Sequence, residues 1–261
     1  DDIGTHIQPN IRLLWTPNPN TSLWASLARA NRTPSRVERD SVLYVPFAAN
    51  GSFELMNHSN QIEIMDALDL GWRQQLSRQL NLDLAAFYYR YDQLRNAVFL
   101  NQTVLPSGYL LIQTENRNNS GGHAYGVELA WDWRPASAWR VQATYSWLRA
   151  IADTAPGALD SSYTDTTPQH QASLRLSHDF SPTLQGDAWL RYSGDVPLYA
   201  IPAYTSLDLR IAWRPRIGVE LGMVGQHLLD TQHPEYASNF LLSIPRELER
   251  GIYAYVRWEL D

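Results

Sequence analysis

The stretch Gly126–Trp147 reads GVELAWDWRPASAWRVQATYSW, and it alternates on both sides of a short break. Before the break, Val127, Leu129, Trp131 and Trp133 share one parity, while Glu128, Ala130 and Asp132 share the other. After it, Trp139, Val141, Ala143, Tyr145 and Trp147 oppose Arg140, Gln142, Thr144 and Ser146. A helix would repeat its apolar residues every three or four positions; strict alternation places them on one face of a strand. The intervening RPASA (134–138) supplies Pro and Ser, which favour tight turns. The stretch therefore reads as two antiparallel strands, each with one apolar and one polar face.

The same texture runs through the chain. In TSLDLRIAWRP (205–215), Leu207, Leu209, Ile211 and Trp213 oppose Ser206, Asp208, Arg210 and Ala212. In LQGDAWLRY (184–192), Leu184, Ala188, Leu190 and Tyr192 oppose Gln185, Asp187, Trp189 and Arg191. The final GIYAYVRWEL puts Ile252, Ala254, Val256, Trp258 and Leu260 on one side. Eleven strands are expected, near 7–16, 21–31, 61–73, 79–94, 122–134, 138–150, 169–179, 183–193, 203–213, 217–227 and 250–260. Their connections alternate in length. Short turns fall at 16–20, 73–78, 134–138, 180–183 and 214–217; long loops rich in Asn, Ser, Thr, Pro and Gly fall near 32–60, 95–121, 151–168, 193–202 and 228–249. Short turns at one end and long loops at the other describe an up-and-down antiparallel sheet, with the end-to-end asymmetry of outer-membrane barrels.

Composition separates a membrane barrel from a soluble sandwich. The chain carries 10 Trp and 14 Tyr, yet its mean hydropathy is only -0.36. It has no run approaching the ~20 apolar residues of a membrane helix, but a membrane strand needs only about 9–11 residues with one polar face. Trp15, Trp72, Trp131, Trp133, Trp139, Trp213 and Trp258 lie near a short turn or near the last residue, all at apolar parity. At one height and facing outward they form an aromatic girdle at a membrane–water interface; a soluble sandwich would scatter them through its core. The excess of 27 acidic over 21 basic residues, all of them Arg, argues against nucleic acid as a partner. With no cysteine there is no disulfide and no thiolate metal site. The fold class is thus all-β, an up-and-down antiparallel transmembrane β-barrel. Eleven is odd, whereas single-chain bacterial barrels have even strand numbers, so residues 1–261 are expected to form one incomplete domain, about eleven strands of a larger barrel.

Four stretches resemble the TonB-dependent outer-membrane receptors. They are LWASLARANRTPSRVERD (23–40), with its Arg-x-Pro-Ser; LDLAAFYYRYDQLR (82–95); AYGVELAWDWRP (124–135), with its Gly-x-Glu-Leu; and VGQHLLDTQHPEY (224–236) followed by SIPRELERGIYAYVRWEL. The resemblance implies the C-terminal half of such a barrel, in the bacterial outer membrane, without the plug domain and its TonB box. It implies active uptake of a ferric siderophore or similar iron chelate, with outer-membrane lipid, the TonB complex (through the plug) and the barrel-assembly machinery (through the last strand) as partners. The terminal Trp258-Glu259-Leu260-Asp261 departs from the family's usual aromatic end. A passive diffusion porin or a structural outer-membrane barrel is the alternative.

Strand parity assigns Glu128, Asp132, Arg140, Arg175, Asp187, Asp208 and Arg210 to a polar lumen wall, with Trp189 inward among them. Trp189, Arg191, Tyr163 and Tyr199 are the candidate ligand contacts, since aromatics and Arg suit anionic chelates. The His227, Asp230, His233, Glu235 stretch fits no standard metal-ligand spacing and reads as a loop's first turn, so no metal or cofactor is expected. Neither a nucleophile elbow nor a phosphate-binding glycine loop is present, and the chain is not expected to be an enzyme.

Overall fold

The computed structural model describes residues 4–57, 61–153, 155–158, 164–236 and 247–259. In chain order its elements are β1 (Asn10–Asn18), β2 (Thr21–Arg32), α1 (Arg36–Asp40), β3 (Val42–Ala48), β4 (Gly51–Asn57), β5 (Glu63–Ser77), β6 (Leu80–Val104), β7 (Leu110–Ala136) and β8 (Trp139–Asp153). Then come β9 (His170–Ser181), β10 (Leu184–Ser193), a 3-10 turn at Pro197–Tyr199, β11 (Tyr204–Arg216), β12 (Val219–Gln226), β13 (Gln232–Pro234), β14 (Glu247–Glu249) and β15 (Gly251–Trp258). Eleven strands form one continuous path, β1-β2-β5-β6-β7-β8-β9-β10-β11-β12-β15, so the expected meander is present.

Antiparallel register carries the alternation across the sheet. One transverse row runs Leu82, Trp131, Ala143, Leu174, Leu190, Leu207; the adjacent row runs Asp83, Ala130, Thr144, Ser173, Arg191, Ser206. A slip of one residue in any strand would mix the rows. The apolar row is not a core: Trp131, Leu174 and Leu190 are all exposed, as are Leu209, Ile211 and Val256. A soluble domain rarely leaves so large an apolar face uncovered.

Two of the expected long loops are structured instead. Residues 95–121 continue β6 and β7 as a tall hairpin, leaving only 105–109 as connection. Beyond a membrane neither face has to be apolar, so the alternation disappears and polar strands such as NRNNSGG read as loop. The ladder persists through register shifts between Tyr91 and Arg95, with Gln93 at φ 60° absorbing the irregularity. The 32–60 segment folds as α1 followed by the β3–β4 hairpin, and β4 runs parallel to the top of β7 from Gly51–Leu110 to Asn57–Asn116. Buried Asn116 donates to Asn57, whose own Nδ2 donates to Ser41 Oγ at 3.0 Å, closing this added edge. His233 and Pro234, expected in a turn, pair as part of β13 with β14. Leu260 and Asp261 lie outside the described residues.

Glu38 holds this apparatus to the sheet. Ser35 caps α1 in a capping box: the Glu38 amide donates to Ser35 Oγ at 3.3 Å, and the Ser35 amide donates to Glu38 Oε2 at 2.7 Å. Glu38 Oε1 also accepts from Arg32 of β2, and Arg95 of β6 lies 2.8 Å away. Burial alone would raise the Glu38 carboxyl, but the Ser35 amide, Arg32 and Arg95 more than offset it and hold it below the ordinary glutamate range. A depressed folded-state pKa means that the contribution is complete above the unfolded value of about 4.3 and fades as pH falls through the lower folded value. Glu38→Gln should therefore speed tryptic cleavage at Arg36 and Arg39 at pH 7, and acidification below the lowered folded-state value should erase the difference from the unaltered chain. Limited proteolysis at neutral pH, and with an acid-tolerant protease at low pH, checks both limbs.

Candidate functional site

Side chains from β2 through β11 line one concave space of about 1370 Å³, including Trp24, Asp69, Tyr89, Glu128, Arg191 and Tyr204. β2 and β11 are separated by six strands along the sheet, so they can share a space only because the sheet curls. The trough lies on the face opposite the exposed apolar rows. It sits toward the long connections, away from the tight turns at Pro19–Asn20, Ser137–Ala138 and Ile217–Gly218.

Its walls combine aromatic surface with paired charge. On β6, Phe87 and Tyr89 stack with centroids 5.0 Å apart, and the Tyr89 hydroxyl donates to Asp69 Oδ1 at 2.8 Å. Trp24 lies flat across Gly71, where an added Cβ would come within 2.0 Å of the indole; the missing side chain makes room for the ring. Arg191 donates from Nη2 to Asp208 at 2.7 Å and from Nε to Ser206 Oγ at 3.2 Å, with its guanidinium 4.4 Å above the Trp189 ring.

Toward the tight turns the same face carries an ion-pair network. Arg210 donates to Asp187 at 2.9 Å, to Glu220 at 2.8 Å and to the Tyr255 hydroxyl at 2.9 Å; that hydroxyl donates on to Glu220 at 2.7 Å. Arg214 adds a second contact to Glu220 at 2.9 Å, and Arg175 one to Asp187 at 3.1 Å. Asp132 pairs with Arg140 across the β7–β8 hairpin. Every carboxylate here has a cation within bonding distance, as partly buried charges require.

All seven wall residues assigned by parity, Glu128, Asp132, Arg140, Arg175, Asp187, Asp208 and Arg210, fall on this inner face by register. The seven tryptophans expected to form a girdle fall on the opposite face; Trp15, Trp131, Trp133, Trp139, Trp213 and Trp258 are exposed and Trp72 is half-buried. Of the four candidate contacts, Arg191 lines the trough, whereas Trp189 lies one turn of the pleat nearer the tight turns, beneath the guanidinium. Tyr199 sits in the 3-10 turn and does not line the trough, and Tyr163 lies outside the described residues. The sequence reading overlooked Trp24, Asp69, Phe87, Tyr89 and Tyr204. In LDLAAFYYRY the signal was available: Phe87, Tyr89 and Tyr91 share the parity of Asp83, and three aromatics on a polar face need something to touch.

A curled antiparallel sheet that exposes its apolar face and keeps its charges inside is the wall of a transmembrane β-barrel. The chain belongs to the TonB-dependent receptor family: the model described as "TonB dependent receptor-like, beta-barrel" matches residues 1–224. This places it in the outer membrane of Gram-negative bacteria. No curated protein matches it in sequence. Among solved structures, it is similar to the FrpB iron transporter from Neisseria meningitidis (TM-score 0.68, 13% identity, 96% of this chain and 39% of that one). It is similar also to the siderophore receptor PirA from Acinetobacter baumannii (0.72, 14%, 96% and 40%) and to a mutant of the ferric enterobactin receptor PfeA from Pseudomonas aeruginosa (0.73, 16%, 99% and 41%). At these identities the likeness concerns the fold. The chain spans about two-fifths of each of those three structures.

The ion-pair network and an isolated pair should respond differently to truncation. Removing Arg210 leaves Asp187 and Glu220, both at least nine-tenths buried, short of a cation; Arg210→Ala should cost about 2–3 kcal/mol. Arg73, itself 69% exposed and paired with Asp83, should cost under about 1 kcal/mol on the same change. Denaturant unfolding of the refolded protein in detergent measures both.

Proposed function

We propose that this chain forms part of the wall of a receptor for active uptake of a ferric siderophore or a similar iron chelate. The observation that carries the reading is the trough: aromatic faces of Trp24, Phe87 and Tyr89 beside the charged groups of Asp69, Glu128 and Arg191, at the end that bears the long connections. A bulky, partly aromatic, anionic chelate suits such a wall, because flat rings supply contact area at low entropic cost and Arg recognises delocalised anions. Arg191 is already engaged with Asp208, so it serves as an oriented edge to the site rather than a free cation. The solved structures of similar fold include an iron transporter and siderophore receptors, which accords with this substrate class.

The partners follow from the same reading. Outer-membrane lipid meets the apolar face and the tryptophan girdle. Residues 1–261 act as one incomplete domain: β1 and β15 are the ends of the strand path, and open ladder edges are not tolerated in hydrocarbon, so further strands would continue both. A plug outside this chain would link the inner wall to the TonB complex, and β15 would meet the barrel-assembly machinery. The chain performs no chemistry of its own in this reading.

Binding of ferric catecholate and ferric hydroxamate chelates to the whole receptor in detergent, followed by tryptophan quenching, tests it. At least one class should saturate, and Trp24→Ala should weaken that binding about tenfold, the scale of one lost aromatic contact. Size-limited flux of unrelated solutes through liposomes, without saturable chelate binding, would favour the diffusion-porin alternative.

A further inference from the structure

The connection between β12 and β15 gathers a side-chain cluster that chelate uptake leaves unused. Immediately after β12 the chain bends at His227, whose φ is 52°. Two bonds pin this bend to β11: the His227 amide donates to Asp208 Oδ1 at 3.0 Å, and the Leu228 amide donates to Leu207 O at 2.9 Å. The β13–β14 pairing then carries His233 back over the barrel, where its buried ring stacks on Tyr204 with centroids 4.4 Å apart. The His227 ring lies 5.2 Å from that of His233.

Three donors converge. One ligand atom each from His227, His233 and Glu235 lie within 4.8 Å of one another. His233 Nε2 faces Glu235 Oε1 at 2.9 Å, and its Nδ1 faces the Asp230 carboxylate at 3.0 Å. His227 Nδ1 is shielded from solvent and has no hydrogen-bond partner. A shielded polar atom without a partner calls for an explanation, and a ligand held by this ring would be one.

Two imidazoles and a carboxylate are too nitrogen-rich for calcium or magnesium but suit a divalent transition ion. Around zinc, with bonds near 2.0–2.1 Å, neighbouring donors stand about 3.4 Å apart, so no pair of the three donors, which lie within 4.8 Å of one another, needs to close by more than about 1.4 Å. Asp230 on the far nitrogen of His233 has the placement of the outer carboxylate that orients a ligating histidine. Glu235 also borders the trough, which leaves room for water or another donor at the remaining position.

We propose that His227, His233 and Glu235 bind one divalent transition-metal ion of the zinc type, with Asp230 orienting His233, at the rim of the trough. The ion would tie the end of β12 to β13 and fix this connection against Tyr204. The site lies beyond the residues matched by the family barrel model, which end at 224, and it does not depend on which chelate the receptor carries.

The test uses the protein in detergent without a polyhistidine tag and Zn2+ as the probe. A single Zn2+ per chain should survive gel filtration, with affinity set by competition against a chromophoric chelator. His227→Ala and Glu235→Gln should each weaken binding at least 100-fold, and Asp230→Asn about 10–100-fold. His178→Ala, at the opposite end beside Trp139, should change nothing. With Cu2+ as a spectroscopic probe, paramagnetic resonance should show two coupled nitrogens in the unaltered protein and one in His227→Ala; gel mobility before and after heating reports that each variant is folded. Retention of Zn2+ by folded His227→Ala at unchanged affinity would overturn the proposal. So would a tag-free protein that binds none, and the cluster would then be a protonated His233 held between two carboxylates.

Discussion

Inside hydrocarbon, no water is available to a backbone amide or carbonyl, so a membrane-crossing chain must pair all of these groups internally. That constraint governs this structure. It explains why eleven strands pair with their sequence neighbours in one uninterrupted path, and why tight turns join them at one end. It also explains why side chains sort into two faces with almost nothing between. The usual driving force of folding is reversed here: few apolar side chains are buried, and large ones such as Leu13, Trp131, Leu190 and Trp258 remain exposed on the outer face. The apolar rows face outward, while on the inner face Asp132, Asp187, Asp208 and Glu220 each pair with an Arg.

Most of the sheet was legible for this reason. Period-two alternation is enforced wherever one face meets lipid, so the strands around Trp131, Trp139 and Trp213 declared themselves, and parity sent Glu128, Asp132, Asp187 and Arg210 inward. The pattern failed where the lipid ends. Asn116, Asn118 and Ser120 lie in β7, yet nothing in a run of polar residues distinguishes a solvated ladder from a loop. The β3–β4 hairpin was equally hidden, because its parallel pairing with β7 joins residues some sixty positions apart.

The site was less legible than the fold. Parity names the face of a side chain, but not its height or its neighbours. Trp189 lies beneath Arg191 and not on the trough wall, while Trp24 drew no notice because its role depends on Gly71 of β5, the neighbouring strand in the sheet. The His227–Glu235 stretch reads as a turn because its spacing matches no ligand pattern; only the bend at His227 and the β13–β14 pairing bring its side chains together. Chemistry distributed over several strands is visible only once the curl of the sheet is known.

The most direct test is the alternation itself, and the absence of cysteine makes it accessible. Single cysteines placed in turn at positions 141–146 of β8, spin-labelled in the protein reconstituted into bilayers, report collision with oxygen in lipid or with a nickel chelate in water. Labels at Val141, Ala143 and Tyr145 should favour oxygen, and those at Gln142, Thr144 and Ser146 the nickel chelate. A profile without period two, or nickel access at Val141 and Ala143, would contradict a membrane-facing apolar row.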